Sequence, residues 1–173
     1  DLAKPYIVDV FRVTGGTTHD YTFHGAIRWD QNWQCSFPLV TNSNPYPMLE
    51  GSETWDPSTD TPYYGFWRNV SSNTAPGNFQ ITYSDANRAT GRDTRLWMTA
   101  DPNTYNVYLG TTPVPARDNT VPTNFFNSLG LTRPSAIIRH RIASGTLQDL
   151  FVSVIEPLNA GVSNIVSVER LPM

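Results

Sequence analysis

The sequence predicts an all-β fold, an antiparallel β-sandwich of roughly nine strands with long proline-rich loops. Short runs of β-branched and aromatic residues recur along the 173 residues, and each is bounded by Gly, Pro, Asn or Asp. The clearest of these runs alternate apolar and polar side chains with a period of two. No stretch carries the apolar periodicity of a three-turn helix, so an architecture of alternating strands and helices is not expected.

The first two runs predict a pair of strands joined by a tight turn. The first, YIVDVFRVTGG, ends at Gly15 and Gly16, a pair that favours a hairpin. The second, HDYTFHGAIRW, puts Tyr21 and Phe23 on one face and Thr22 on the other. This alternation is typical of a strand with one buried and one polar face.

Seven further runs complete the predicted set, and all belong to one domain that spans residues 1–173. Residues 36–65 and 111–124 are proline-rich and predict long loops, which often carry function. The segment TNFFNSLGL predicts one short helical turn that ends at Gly130. The seven runs are YYGFWRNVSS, NFQITYSD, TRLWMTAD, YNVYLGTT, SAIIRHRIAS, LQDLFVSVIEP and SNIVSVERLP.

Composition excludes several classes of protein. Charged residues are 16% of the chain and the formal net charge is −3, so no basic excess exists to bind nucleic acid by neutralising phosphates. The aromatic content of 12% argues against disorder. No apolar run is long enough to span a membrane. The N-terminus lacks the layout of a signal peptide, so we expect any export signal to lie outside this chain.

Motifs for metals, cofactors and nucleophiles are missing from the sequence. His19 and His24 are five residues apart and point to opposite faces of one strand, so they make no metal pair. We therefore expect no metal and no cofactor, although Asp56 and Asp60 leave a structural calcium open as an alternative. Cys35 has no histidine nearby in sequence and is expected to be an inert buried thiol.

Aromatic residues concentrate around the first long loop. Flat aromatic faces bind the apolar faces of sugars, and neighbouring polar groups bond the hydroxyls. The alternative is that these rings pack the loop onto the sandwich, and Trp67 is expected in the core. The candidate carbohydrate-binding residues are Trp33, Trp55, Tyr63, Tyr64, Arg12 and His19.

The densest polar cluster is Arg12, His19, Asp20, Tyr21 and His24. In one interpretation His19 is a polar contact or general base at the rim of a cleft. In the other, His19 is a turn residue bonded to backbone and His24 is bonded to neighbours on the sheet face.

Three segments resemble the heparinase II/III-type polysaccharide lyases. The first is the opening, YIVDVFRVTGGTTHDYTFHG; the second is TRLWMTADPNTYNVYLGTTP; the third is the closing RPSAIIRHRIASGTLQDLFVSVIEPLNAGVSNIVSVERLPM. Together they cover most of the chain. The residues of the opening that match the family-like pattern are Asp9, Phe11, Arg12, Val13, Gly15, Gly16, His19, Asp20, Tyr21, His24 and Gly25.

The resemblance implies the C-terminal β-sandwich module of a larger, secreted or periplasmic bacterial enzyme. The family's catalytic and metal-binding stretches are absent from this sequence. The expected function is a noncatalytic, carbohydrate-facing module whose partners are an acidic, uronate-containing polysaccharide and the α-barrel domain of the same parent protein. Two alternatives stay open. In one, His19, Tyr21, His24 and Arg12 line a cleft for β-elimination together with the helical domain; in the other, the module is a structural scaffold.

Overall fold

The computed structural model describes residues 5–26, 31–56, 63–86, 92–102, 104–113, 132–159 and 161–171. Ten strands lie in these ranges, and a single 3-10 turn, Tyr63–Phe66, precedes the fifth. The strands are β1 (Ile7–Thr14), β2 (Thr18–His24), β3 (Gln31–Cys35), β4 (Val40–Thr41), β5 (Arg68–Thr74), β6 (Phe79–Asp85), β7 (Arg92–Thr99), β8 (Tyr105–Pro113), β9 (Thr132–Arg141) and β10 (Gln148–Asn159).

The strands form two five-stranded antiparallel sheets. Sheet A has the order β1-β10-β7-β6-β3, and sheet B has the order β2-β9-β8-β5-β4. One apolar cluster contains residues of both sheets, among them Ile81 and Leu96 of sheet A and Leu109 and Ile138 of sheet B. The predicted all-β sandwich is therefore confirmed, with ten strands in place of roughly nine.

Alternation along the strands determines which residues enter the core. In β6 every second residue is buried, from Phe79 to Asp85. In β2, Tyr21 and Phe23 face the core and Thr22 is exposed, as predicted. A second, smaller cluster lies on the outer face of sheet B, where Met48 of the first long loop packs against Trp67 and Ile137. Trp67 is buried, as expected.

The turn at Gly15 and Gly16 connects the two sheets, so the predicted β1–β2 hairpin is wrong. β1 pairs with β10 and β2 pairs with β9. The turn bonds instead to the segment before β10, since the N–H of Gly15 donates to the carbonyl of Leu147 and the N–H of Leu147 donates to Gly16, both at 3.0 Å. Both glycines have positive φ, 112° and 67°, which accounts for the pair at this turn.

The last predicted strand, SNIVSVERLP, is also wrong, because residues 163–171 form no strand. The buried carboxylate of Glu156 accepts hydrogen bonds from the Asn164 N–H at 2.6 Å and the Ile165 N–H at 3.2 Å. It also accepts from the Ser163 hydroxyl at 2.7 Å and the Trp97 indole at 3.0 Å. These bonds occupy backbone donors that a strand would direct to a neighbouring strand.

Two further sequence predictions compare differently with the structure. The run YYGFWRNVSS begins as the 3-10 turn and becomes a strand only at Arg68. The predicted helical turn that ends at Gly130 lies outside the described residues. Within the described ranges, no helix has the length and apolar character needed to cross a bilayer.

Candidate functional site

A polar cleft opens on the outer face of sheet B, where the first long loop lies against β2 and β9. Its volume is about 290 Å³. We call it the arginine cleft. Its lining residues are Thr18, Asp20, Met48, Glu50, Glu53, Tyr64, Arg139 and Arg141.

Strand alternation and register build the floor of the cleft. Arg139 and Arg141 lie two residues apart on β9, on the same outward face as Ile137. Antiparallel pairing puts Asp20 of β2 opposite Arg139 and Thr18 opposite Arg141. The run IIRHR therefore presents two arginines to the same side of the sheet, and β2 supplies an acceptor beside each.

Arg139 forms the closed part of the cleft. Its Nε and Nη2 donate to the two carboxylate oxygens of Asp20, each at 2.7 Å, and its side chain is only 5% exposed. The guanidinium also lies over the rings of Tyr64 and Tyr108, 5.2 Å and 5.6 Å from their centroids. This bidentate geometry is the strong form of an arginine–carboxylate pair.

The bond to Asp20 shifts the pKa of both partners. Hydrogen bonding to Asp20 raises the pKa of Arg139, against the opposing effect of burial. Burial would raise the pKa of Asp20, but the hydrogen bonds from Arg139 and Tyr64 outweigh it and hold that pKa below its ordinary value. The pair is therefore ionised over the whole neutral range.

Arg141 and Glu50 form the open part of the cleft. Their side chains are 44% and 42% exposed. Nη2 of Arg141 donates to Oε1 and Oε2 of Glu50 at 2.6 Å and 2.5 Å, and its Nε donates to the hydroxyl of Thr18 at 3.1 Å. Nη1 of Arg139 reaches the same Oε1 at 2.6 Å. The two guanidinium groups thus converge on one carboxylate oxygen.

The lining of the cleft is nearly balanced in charge. Three carboxylates, of Asp20, Glu50 and Glu53, face the two guanidinium groups of Arg139 and Arg141, which leaves a formal charge of −1. Donors and acceptors are therefore both available in one open space. Such a mixture suits ligands with many hydroxyl groups, which both donate and accept.

The aromatic residues predicted to bind sugars do not form one exposed platform. Trp55 is half-buried and packs against Tyr46 and Phe66, with ring centroids 5.8 Å and 5.4 Å away, and the guanidinium of Arg68 lies 5.0 Å from its centroid. The hydroxyl of Tyr64 donates to Asp20 in the arginine cleft. These contacts anchor the first long loop to sheet B.

The other two aromatic candidates lie apart from these. Trp33 is half-buried on β3 and packs against the main core from sheet A. Tyr63 begins the 3-10 turn, and its side chain lies outside the described part of the structure. Among the four predicted aromatic residues, Tyr64 is the one that lines the arginine cleft.

His19 is buried inside the sandwich. Its Nδ1 donates to Oδ2 of Asp149 at 2.7 Å, and its Nε2 lies against the carbonyl oxygen of Gly15. His140 donates from Nδ1 to the other oxygen of Asp149, also at 2.7 Å. His19 therefore bonds to the backbone of the turn, as the second interpretation of the sequence expected, and it lies away from any open rim.

Tyr21 is likewise committed to contacts inside the fold. Its hydroxyl donates to the carboxylate of Asp9 at 2.8 Å and lies 2.8 Å from the hydroxyl of Ser153. Burial raises the pKa of Tyr21 to about 12, and the nearby carboxylate of Asp9 adds to the rise. The phenol is therefore neutral at physiological pH.

The four residues of the alternative catalytic set do not converge. His19 and Tyr21 face the core, whereas His24 is exposed at the far end of β2 and donates to the Gly25 carbonyl at 2.9 Å. Arg12 is exposed on β1, on the face of sheet A opposite to the core. The sandwich thus separates Arg12 and His24 from the two buried residues.

Two remaining predictions concern metal binding and the thiol. Asp56 is described but Asp60 is not, so the calcium alternative stays a prediction. Within the described residues, no group of three or more potential metal ligands is found. Cys35 is half-buried beside the main core, and burial raises the pKa of its thiol, as expected for an inert cysteine.

Sequence reasoning missed Arg139 and Arg141 as site residues. The available signal was the alternation of arginines with His140 directly after the apolar run Ala136–Ile138, which places two cations on one outward face. Their partners could not be found in this way, because Glu50 is 89 residues from Arg139 and Asp20 is 119 residues from it.

A comparison of the chain with family models, with curated proteins and with solved structures found no match in any of the three. The resemblance to heparinase II/III-type polysaccharide lyases therefore rests on the three segments of the sequence and stays a prediction.

Proposed function

We propose that this chain is a noncatalytic, carbohydrate-facing β-sandwich module of a polysaccharide lyase that acts on acidic, uronate-containing polysaccharide. We further propose that the module contacts the polysaccharide at the arginine cleft. The observation that carries this proposal is the half-exposed guanidinium of Arg141, which lies in an open cleft beside carboxylates and hydroxyls.

The chemistry of the cleft suits a sugar unit. Arg141 offers planar N–H donors that match a uronate carboxylate, and Glu53 offers acceptors for hydroxyl groups. The volume of about 290 Å³ is near the lower end of the usual range for ligand pockets, about 300 Å³. The cleft would therefore hold one unit of a polysaccharide rather than enclose a long segment.

The noncatalytic part of the proposal is supported by the positions of the alternative catalytic residues. An elimination reaction needs a base and a proton donor within reach of the same sugar carbon. The imidazole of His19 is hydrogen-bonded to Asp149, and the hydroxyl of Tyr21 is hydrogen-bonded to Asp9 and Ser153, all within the sandwich. These groups therefore do not meet at an open surface where a sugar could bind.

Affinity electrophoresis in gels that contain polygalacturonate, alginate or chondroitin sulfate tests the proposal. The wild-type chain should be retarded by at least one acidic polysaccharide and not by neutral dextran, and Arg141→Gln should lose most of this retardation. Arg170→Gln, which removes a half-exposed arginine next to sheet A, is the matched control and should keep it.

Two outcomes would contradict the proposal. Absence of retardation of the wild-type chain by every acidic polysaccharide would refute the binding role. Release of unsaturated sugars by the chain alone, followed by the absorbance of the new double bond and lost in His19→Ala, would show that the module is catalytic.

A second candidate function, a scaffold that docks on another domain, is favoured by β1. This edge strand exposes apolar side chains on both faces, and its outer edge pairs with none of the described residues. The ring of Trp55 packs against Phe66 rather than lying exposed for a sugar, which also fits a scaffold. A pure scaffold predicts no retardation by polysaccharide, so the same electrophoresis separates the two functions. The exposed apolar residues of the strand are Ile7, Val8, Val10 and Phe11, and Tyr6, also exposed, lies directly before it.

A further inference from the structure

We infer that the side chain of Glu50 is an internal ligand of the arginine cleft. Its carboxylate occupies an anion-binding position and rotates out when a carboxylate or sulfate group of a bound ligand takes its place. The identity of that ligand as an acidic sugar rests on the proposed function. The exchange itself follows from the geometry of the cleft.

The first argument is the convergence of donors on one atom. Nη1 of Arg139 and Nη2 of Arg141 both lie 2.6 Å from Oε1 of Glu50, and Nη2 of Arg141 lies 2.5 Å from Oε2. Two guanidinium groups held on alternate residues of one strand form a binding position for an anionic oxygen. A ligand carboxylate or sulfate can present oxygens to the same nitrogens.

The second argument is the contrast between the two ion pairs. The pair of Arg141 and Glu50 is 44% and 42% exposed, and exposed pairs contribute little net free energy because water competes for both partners. The pair of Arg139 and Asp20 is bidentate and its guanidinium is buried. Exchange of Glu50 therefore leaves the floor of the cleft in place.

The third argument is that the loop has other anchors. Met48 is 1% exposed and belongs to the outer cluster of sheet B, and Trp55 packs against Phe66 and Arg68. The turn between Glu50 and Glu53 has its own bonds, from the Glu53 N–H to the Glu50 carbonyl and from the Glu50 N–H to Oε2 of Glu53, both at 3.0 Å. The Glu50 side chain can rotate away while the loop stays docked.

The fourth argument is charge. With Glu50 in place, the formal charge of the lining is −1; without it, Asp20 and Glu53 balance Arg139 and Arg141. A ligand carboxylate that replaces Glu50 therefore returns the formal charge of the cleft to −1, its value in the free protein. An anion added without the departure of Glu50 would face three carboxylates.

Removal of the internal ligand should strengthen anion binding, which a titration can measure. D-glucuronate and sulfate are the probes, glucose is the neutral control, and arginine Nε–Hε signals in NMR spectra report binding. Glu50→Gln should bind glucuronate up to about fivefold more tightly than the wild type, because a competing exposed ion pair is removed. Glu169→Gln is the matched control, since it removes an exposed carboxylate that lies outside the arginine cleft, and should change binding less than about twofold. Arg141→Gln should abolish binding of both anions.

Equal affinity of Glu50→Gln and the wild type for glucuronate, or no binding of either anion by Glu50→Gln, would overturn the inference. A titration of the wild type provides a test that needs no variant. The carboxyl carbon of Glu50 and the Nε–Hε signal of Arg141 should shift together with either anion, while that of Arg139 moves little. A shift of Arg141 with no change at Glu50 would also overturn it.

The two proposals can fail separately. If Glu50→Gln binds glucuronate more tightly but no acidic polysaccharide retards the chain, the exchange stands and the proposed function fails. If polysaccharide retards the wild type but Glu50→Gln gains no affinity, the proposed function stands and the exchange fails.

Discussion

Asp149 shows how a single buried side chain connects the two sheets. It lies on β10 of sheet A, and its two oxygens accept from His19 of β2 and His140 of β9, both in sheet B. Both hydrogen bonds are 2.7 Å long, and the Asp149 side chain is 5% exposed. A buried carboxylate without donors would be costly, so the two histidines and Asp149 stabilise the fold as a set.

We predict that Asp149→Asn lowers the free energy of unfolding by about 3 kcal/mol, because one amide oxygen and one amide nitrogen must then face two histidine nitrogens in a buried place. Urea denaturation followed by tryptophan fluorescence measures the change. Gln148→Ala, at the exposed neighbouring position, should change stability by less than about 0.5 kcal/mol. A loss below about 1 kcal/mol for Asp149→Asn would contradict the role given to it.

Among the elements, β1 differs from the other long strands in the exposure of its apolar residues. It pairs with β10 along its whole length, from Ile7 to Thr14. Phe11 stacks on Phe151 of the core at 6.3 Å but remains 44% exposed. Natural edge strands are usually protected from pairing with another chain by charged residues, proline or a covering segment. The charged residues of β1 are Asp9 and Arg12, one on each face, and the rest of the strand is mostly apolar. This strand is therefore the element of the described fold most suited to contact another surface.

We predict that the wild-type chain self-associates through β1 when its concentration is raised, and that Val10→Lys suppresses this, because a charged edge opposes strand pairing. Sedimentation velocity at several concentrations measures the effect. Val10 is 60% exposed, so the substitution should change stability by less than about 0.5 kcal/mol. Thr22→Lys, at an exposed position of β2, is the control and should associate like the wild type. A concentration-independent sedimentation coefficient for the wild type would refute the prediction.

The first long loop owes its position to contacts along its length rather than to its own secondary structure. Among the described residues of this loop, β4 is the only strand, and it is two residues long. Met48 enters a cluster with Trp67, and Trp55 packs on Gly65, where an added Cβ would collide with the Trp55 side chain. The described part of the loop around Met48 and Glu50 thus packs against sheet B and forms one wall of the arginine cleft.

At the scale of the whole molecule, two carboxylates link the stability of the fold to pH. Burial would raise the pKa of Glu156, but hydrogen bonds from Ser163, Trp97 and two backbone N–H groups hold it below its ordinary value. The pKa of Asp20 is lowered in the same way by Arg139 and Tyr64 after the opposing effect of burial. In both cases the folded chain binds the proton more weakly than the unfolded chain.

We predict that stability falls as the pH drops through about 4, the ordinary carboxyl range, because the unfolded state then takes up protons that these two carboxylates resist in the folded state. The urea midpoint measured at several pH values tests this. Glu156→Gln should be less stable at pH 7 and should lose less stability on acidification, since one linked carboxylate is gone. An acid loss of the same size in this variant would show that Glu156 is not linked to folding.

The sequence by itself determined the fold class and the inward faces of several strands. Alternation is a local property, so Tyr21 and Phe23 could be placed in the core and Trp67 could be expected there. The failures at the Gly15–Gly16 turn and at residues 163–171 have a common reason. A pair of glycines favours a turn but does not determine which strands pair on either side of it. An apolar run becomes a strand only if its backbone forms hydrogen bonds with a neighbouring strand.

Only the tertiary structure decided the candidate site. The arginine cleft exists because the β2–β9 register brings Asp20 to Arg139, and because Met48 fixes a loop that brings Glu50 to the same place. Neither contact leaves a local signal, since the partners are about 90 to 120 residues apart. The same packing buries His19 and Tyr21, because every second residue of β2 faces the core. Local sequence patterns determine which face of a strand is buried. Long-range strand pairing determines which polar groups meet on the exposed face.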